Sequence, residues 1–134
     1  MAEAAPLEVQ LVSPEAVSYS GTAEMVIART VGGGDVAFMA GHAPFIGVLA
    51  TWSVDVVRPD GQRDTFAVHR GFVEVSNNEV MILSDVSEAA ADIDLQRASA
   101  AQSRAQEALA KNPDDLEAVA ALERATLRLS ISQT

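Results

Sequence analysis

The sequence predicts a two-part chain: an antiparallel β-sandwich or flattened barrel over residues 1–87, then an antiparallel two-helix hairpin over residues 88–134. Three observations carry this. As far as Ser84, apolar residues alternate with polar ones in short runs, the period of half-buried strands. No helix-period segment separates those runs, which argues against parallel βαβ units. From Asp92 to Thr134 there is no glycine, and alanine dominates.

The strands are justified in order. Leu7, Val9 and Leu11 alternate with Glu8 and Gln10. Met25 to Val31 is a second β-rich run, stopped by Gly32-Gly33-Gly34, and a β-like stretch follows from Val36 until Gly41 and Pro44 break it. Val54 and Val56 flank Asp55, and Pro59-Asp60-Gly61 marks a turn. Thr65 to His69 resumes with Phe66 and Val68 on one face. Val73 and Val75 then join Val80 and Ile82 across Asn77-Asn78, a pair that tolerates the positive φ angles of a two-residue hairpin.

In the C-terminal part, Asp92 is the expected N-cap of a helix over 93–111. Its inward residues are mostly Ala98, Ala101, Ala105 and Ala108, with Leu109 near the end. Asn112-Pro113-Asp114-Asp115 breaks it, and a second helix runs over 116–131 with an apolar stripe of Leu116, Val119, Ala120, Leu122 and Ala125. Alanine permits close approach but buries little area, so such a hairpin gains little from its own packing. It is expected to detach readily from whatever it rests on.

Composition excludes several roles. The formal net charge of −10 opposes binding to nucleic acid, which needs clustered Lys and Arg, and to anionic lipid heads. There is no cysteine, hence no disulfide or thiolate metal site. The N-terminal Met-Ala-Glu-Ala-Ala-Pro lacks the features of a secretory signal. The most apolar stretch, Val36 to Ala50, is too short to span a bilayer and holds Gly41, His42, Pro44 and Gly47. No direct membrane insertion is expected.

Catalytic constellations are missing as well. The two histidines, His42 and His69, form no His-Glu-x-x-His pair. There is no Gly-x-Ser-x-Gly elbow and no Gly-Lys-Ser/Thr phosphate loop. Gly32-Gly33-Gly34-Asp35-Val36-Ala37 matches a dinucleotide fingerprint on paper, but no helix follows to meet a pyrophosphate. His42, in the rigid Gly41-His42-Ala43-Pro44 loop, reads first as a locally bonded loop side chain, with contact to a partner at the loop tip as the other reading. An enzyme is therefore not expected, and no metal site; the chain is expected to act by docking onto partner proteins.

Five of the nine cations lie in the hairpin: Arg97, Arg104, Lys111, Arg124 and Arg128. Folding at Asn112-Pro113 sets Arg97 level with Arg128 and brings Arg104 within about a turn of Arg124. Two readings stay open from the residues alone. The arginines form a solvated face neutralised by Asp94, Glu107 and Glu123, or they bind an anion, either nucleotide phosphates or an acidic protein patch.

The motifs together resemble one family over nearly the whole chain: the epsilon subunit of bacterial F-type ATP synthase. They are Leu-Val-Ser-Pro-Glu at 11–15, the glycine turn leading into Gly41-His42-Ala43-Pro44, Gly71-Phe72-Val73-Glu74-Val75, Val80 to Leu83, and the Ala/Arg-rich hairpin. The resemblance implies a non-catalytic rotor subunit whose sandwich packs on the gamma subunit and rests on the ring of c subunits. Asp35 and His42 then stand at the ring contact. It further implies a mobile hairpin that folds down on the sandwich or rises along gamma towards the alpha and beta subunits and restrains ATP hydrolysis. Such an element needs two packings of similar free energy. The resemblance places the complex at the cytoplasmic face of a bacterial membrane, with this chain peripheral.

Some bacterial members bind regulatory ATP in the folded hairpin through Ile/Leu-Asp-x-x-Arg-Ala. That motif is present as Ile93-Asp94-Leu95-Gln96-Arg97-Ala98. The resemblance assigns Glu88, Asp94, Arg97, Ala98, Arg104, Arg124 and Arg128 to that ATP, with no cofactor otherwise required. Two departures stand out. Arg70 occupies a place where the family usually has glycine, and strain is expected there if φ is positive. Met39-Ala40 replaces a proline-containing pair in the ring-facing loop. The competing reading is a free-standing adaptor whose hairpin stays packed on the sandwich.

Overall fold

The computed structural model describes residues 5–132. The N-terminal residues read above for a signal lie mostly outside that range. Eight strands form the first part: β1 Leu7–Val12, β2 Val17–Ala23, β3 Met25–Thr30, β4 Gly34–Met39, β5 Phe45–Leu49, β6 Trp52–Val57, β7 Arg63–Ser76 and β8 Glu79–Ala89. Two helices follow, α1 Leu95–Lys111 and α2 Leu116–Ser132. The strands are hydrogen-bonded in the order β2-β1-β8-β7-β5-β3-β4, and β6 closes the structure by pairing with β3 and β7. The β-sandwich with a helical pair after it is the predicted fold. One pairing departs from the antiparallel expectation, because β1 and β8 run parallel. They are the first and last strands in the chain, and no local turn signal reports a pairing between segments so far apart in sequence.

The core is mainly aliphatic, with Leu7, Leu11, Val26, Leu49, Val56, Val73 and Ile82, together with Phe38, essentially inaccessible to solvent. Strand β2 went unread in the sequence because Val-Ser-Tyr-Ser-Gly-Thr-Ala does not alternate clearly. It is an edge strand and buries little besides Ala23, while Tyr19 packs edge-on against Phe66. The Asn77-Asn78 turn is as expected, with φ of 51° and 61°.

Strand β7 organises the molecule. Arg63–Val57 and Val68–Trp52 are terminal pairs of its first half with β6, whereas Gly71 to Val75 pair with β5. Between them Arg70 adopts φ 63° and Gly71 φ 143°. The bend flips the alternation: Phe66 and Val68 face the core before it, Val73 and Val75 after it. Consequently Ala67 and His69 face outward under the hairpin, and they are buried there at 0% and 4% exposure. Arg70 is thus strained as anticipated.

The hairpin rests on this face. Leu127 and Ile131 of α2 pack on Ala67, with Ala90 and Ile93 alongside. The N-cap of α1 is Asp94, not Asp92: Asp94 Oδ1 accepts from the Arg97 N–H at 3.1 Å. Asp92 instead closes a 3-10 turn at Ala90–Asp92, and extended Ile93 inserts into the small apolar cluster before the helix starts. The stripe expected on α2 is also corrected. Leu116 is 81% exposed and Val119 37%, while Ala118, Ala125, Leu127 and Ile131 are buried. The alanines Ala98, Ala105, Ala118 and Ala125 are the buried small residues of the helical pair. With the sheet taking Leu127 and Ile131, Val119 and Leu122 of the expected stripe line an open groove beside Trp52.

Candidate functional site

The expected boundary between residues 87 and 88 falls inside β8, so Glu88 belongs to the sheet. Its strand partner is Ala67, which sets its side chain on the hairpin-facing side, diagonal to His69. There one carboxylate oxygen, Glu88 Oε1, accepts from Arg128 Nε at 2.7 Å and from His69 Nε2 at 3.1 Å. Three elements, β7, β8 and α2, meet at one atom. Burial alone would raise the Glu88 carboxyl, but the hydrogen bond and charge of Arg128, with those of His69, outweigh it and hold it below the ordinary range. Burial pushes His69 below its ordinary value; Glu88 opposes this, and Arg128 and Arg124 add to it. His69 is therefore the neutral imidazole that donates through Nε2, and its buried Nδ1 has no hydrogen-bond partner.

Beside this seam, α1 and α2 enclose a groove of about 360 Å³ lined by Arg104, Arg124 and Arg128, with Asp115, Glu117 and five small-residue positions that include Ala101, Ala108 and Ala121. Arg124 Nη2 donates to Glu117 Oε1 at 3.1 Å. Arg104 makes no ion pair among the described residues. The anions that meet these arginines are Glu88 and Glu117, in place of the Asp94, Glu107 and Glu123 that helical spacing predicts. Asp94 is committed to capping α1.

Of the sequence-predicted set, the fold thus gathers Glu88, Arg104, Arg124 and Arg128 along one seam. Ala98 is buried in the helical pair. Arg97 is exposed on the first turn of α1 and does not line the groove. The other predicted pair is kept apart. Asp35 sits at the start of β4 and His42 just beyond its end. Asp35 is bound by Arg29 at 2.8 Å, which holds its carboxyl below the ordinary range. Arg29 also stacks on Trp52, 3.7 Å from the ring centroid. His42 packs against Phe38 and Phe45, with Nδ1 2.7 Å from the Ala43 carbonyl, and the adjacent Gly41 N–H donates to Asn78 Oδ1 at 2.7 Å.

Two features were missed in the sequence. His69 had no motif around it, and only its place on the buried outer face of β7 marks it. The second is a row of exposed apolar side chains on neighbouring strands, Val48, Phe72 and Leu83, paired in register across β5, β7 and β8. An aromatic at an outward position of an alternating run was the available signal.

The family model for the ATP synthase delta/epsilon chain β-sandwich domain matches residues 6–90, and that for its long α-helix domain matches residues 91–133. The chain belongs to the ATP synthase epsilon-chain family. Among its epsilon-chain relatives, that of Lacticaseibacillus casei is 40% identical over 133 residues, covering 93% of this chain and 92% of the relative. That of Streptomyces griseus is 39% identical over 126 residues, covering 94% of each. The fold is also that of a chain in the mitochondrial ATP synthase of Euglena gracilis, solved as OSCP/F1/c-ring, with TM-score 0.82 at 21% identity over 96% of this chain and 82% of that one. Among the described residues of this epsilon-family chain, no helix is long and apolar enough to cross a membrane, and no cluster of side chains is suited to holding a metal.

Proposed function

We propose that the chain is a non-catalytic central-stalk subunit of a proton-translocating ATP synthase, docking gamma to the c-ring. Its hairpin binds ATP when folded down and restrains hydrolysis when released towards the alpha and beta subunits. The observation that carries the reading is the composition of the hairpin seam. Among the described residues, Leu127 and Ile131 are the large apolar side chains by which α2 is buried on the sheet, and Ala67, Ala90, Ile93 and the Glu88-Arg128-His69 set make up the rest of the seam. Such a contact is weak enough to open without unfolding the sandwich. The three-arginine groove beside it supplies the donors a polyphosphate requires. The apolar row Val48-Phe72-Leu83 offers gamma a surface of suitable chemistry, and the Asp35 and His42 turns face the ring. The chain is a peripheral subunit of that complex, at the cytoplasmic face of a bacterial membrane.

The test pairs two measurements on the full chain: co-purification with gamma, and ATP titration followed by amide NMR and hydrogen exchange of α2. Saturable shifts at Arg104, Arg124 and Arg128, with slower α2 exchange, support the nucleotide-held hairpin. If α2 amides exchange only through global unfolding and ATP shifts nothing, the permanently packed adaptor stands instead.

A further inference from the structure

We propose that Glu117 is a built-in competitor for the arginine groove and sets how much polyphosphate is needed to fill it. The inference rests on the reading of the groove as a phosphate site. Two of its three arginines already hold a carboxylate, and those carboxylates differ in how they are kept. Glu88 is gripped from both sides, by Arg128 at 2.7 Å and His69 at 3.1 Å, and leaves only if α2 lifts. Glu117 makes a single bond, to Arg124 at 3.1 Å, and its side chain is 81% exposed. An ion pair of that kind is weak and readily exchanged. Asp115 also lines the groove, but its carboxylate accepts from the Ala118 N–H at 3.1 Å and is held as the cap of α2.

The order of events follows from these holds. An arriving triphosphate meets Arg104 first, because that guanidinium has no ion pair among the described residues. It then takes Arg124 from Glu117, which swings into solvent. Until it does, Glu117 supplies one negative charge within the wall of the site and occupies an Arg124 donor that the phosphate requires. Removing that charge at constant size is therefore expected to tighten binding. One unit charge a few ångströms away in water corresponds to a change on the order of fivefold.

The experiment is calorimetric titration of the full chain with ATP and with inorganic triphosphate, comparing the parent, Glu117→Gln and Glu117→Ala. Asp114→Asn serves as the control, since it changes net charge equally on an exposed turn outside the groove. Both Glu117 variants should bind both anions roughly fivefold more tightly, while Asp114→Asn should match the parent. Equal binding by Glu117→Gln overturns the competitor role, and weaker binding replaces it with that of a clamp that positions Arg124. If neither parent nor variants bind either anion at millimolar concentration, the phosphate reading falls and the competitor role with it.

Discussion

Glu88 and Arg128, forty residues apart in sequence, meet at 2.7 Å and fasten the second helix to the last strand of the sheet. The same carboxylate oxygen also takes the Nε2 proton of His69. Removing the guanidinium leaves a half-buried carboxylate with one neutral donor, and a hydrogen bond between charged groups contributes about 2 kcal/mol. Arg128→Ala is expected to speed α2 amide exchange roughly thirtyfold, with the β-strand amides unchanged. A uniform loss of protection in both parts would refute a separable hairpin.

Acid should loosen the same seam. His69 lies below its ordinary value of 6.5 while docked and returns towards it when α2 lifts. The docked state therefore binds fewer protons, and docking weakens as pH falls below about 6.5, by at most about 1.4 kcal/mol per pH unit for one group. Glu88, also depressed, adds to the loss below its ordinary 4.5. Exchange of α2 measured from pH 7.5 to 5 should show this trend, and His69→Gln should flatten its upper part.

Apolar anchoring resides at the end of α2. Leu127 and Ile131 are 3% and 6% exposed, whereas Leu116 is 81% exposed. Leu127→Ala should destabilise hairpin docking by about 2–3 kcal/mol. Leu116→Ala should change it by less than about 0.5 kcal/mol. Urea unfolding followed by helical circular dichroism separates the two.

The bend in β7 makes a prediction of opposite sign. Arg70 holds φ 63°, and relieving a side chain there stabilises by about 0.5–1 kcal/mol, so Arg70→Gly should raise the melting temperature by a few degrees. Gly71 has no such latitude: a Cβ would stand 2.0 Å from the Leu83 carbonyl oxygen. Gly71→Ala should cost more than about 3 kcal/mol or prevent folding.

Asn78 links the β7–β8 turn to the loop of His42 through Oδ1 and the Gly41 N–H, and its carbonyl accepts from the Glu8 N–H. Asn78→Gly keeps the turn and removes only the side-chain bond. The variant should melt within about 1 kcal/mol of the parent, yet the His42 ring signals should broaden and shift. An unchanged His42 spectrum would show that the loop is held by its aromatic contacts alone.

The candidate site is half legible in the sequence. Glu88, Arg104, Arg124 and Arg128 came from a motif resemblance and from helical spacing, and the fold gathers them. Arg97 came with the same motif, but the chain turns it outward at the first turn of α1. His69 carried no signal, because a lone histidine acquires a role only from what packs over it.

The sequence by itself determined the elements whose cause is local: the alternation of β1, β6 and β8, the positive φ of Asn77 and Asn78, and the helix break at Asn112-Pro113. Each is written in side-chain period or in backbone sterics that neighbours alone decide. Only the tertiary structure decided the parallel β1–β8 pairing, the reversal of facing at Arg70, and which stripe of α2 is buried. Two apolar stripes were available on that helix, and the sheet accepted Leu127 and Ile131 because the bend in β7 had turned Ala67 and His69 towards them. Burial of a face depends on the surface it meets, and that surface is assembled from strands far apart in the chain.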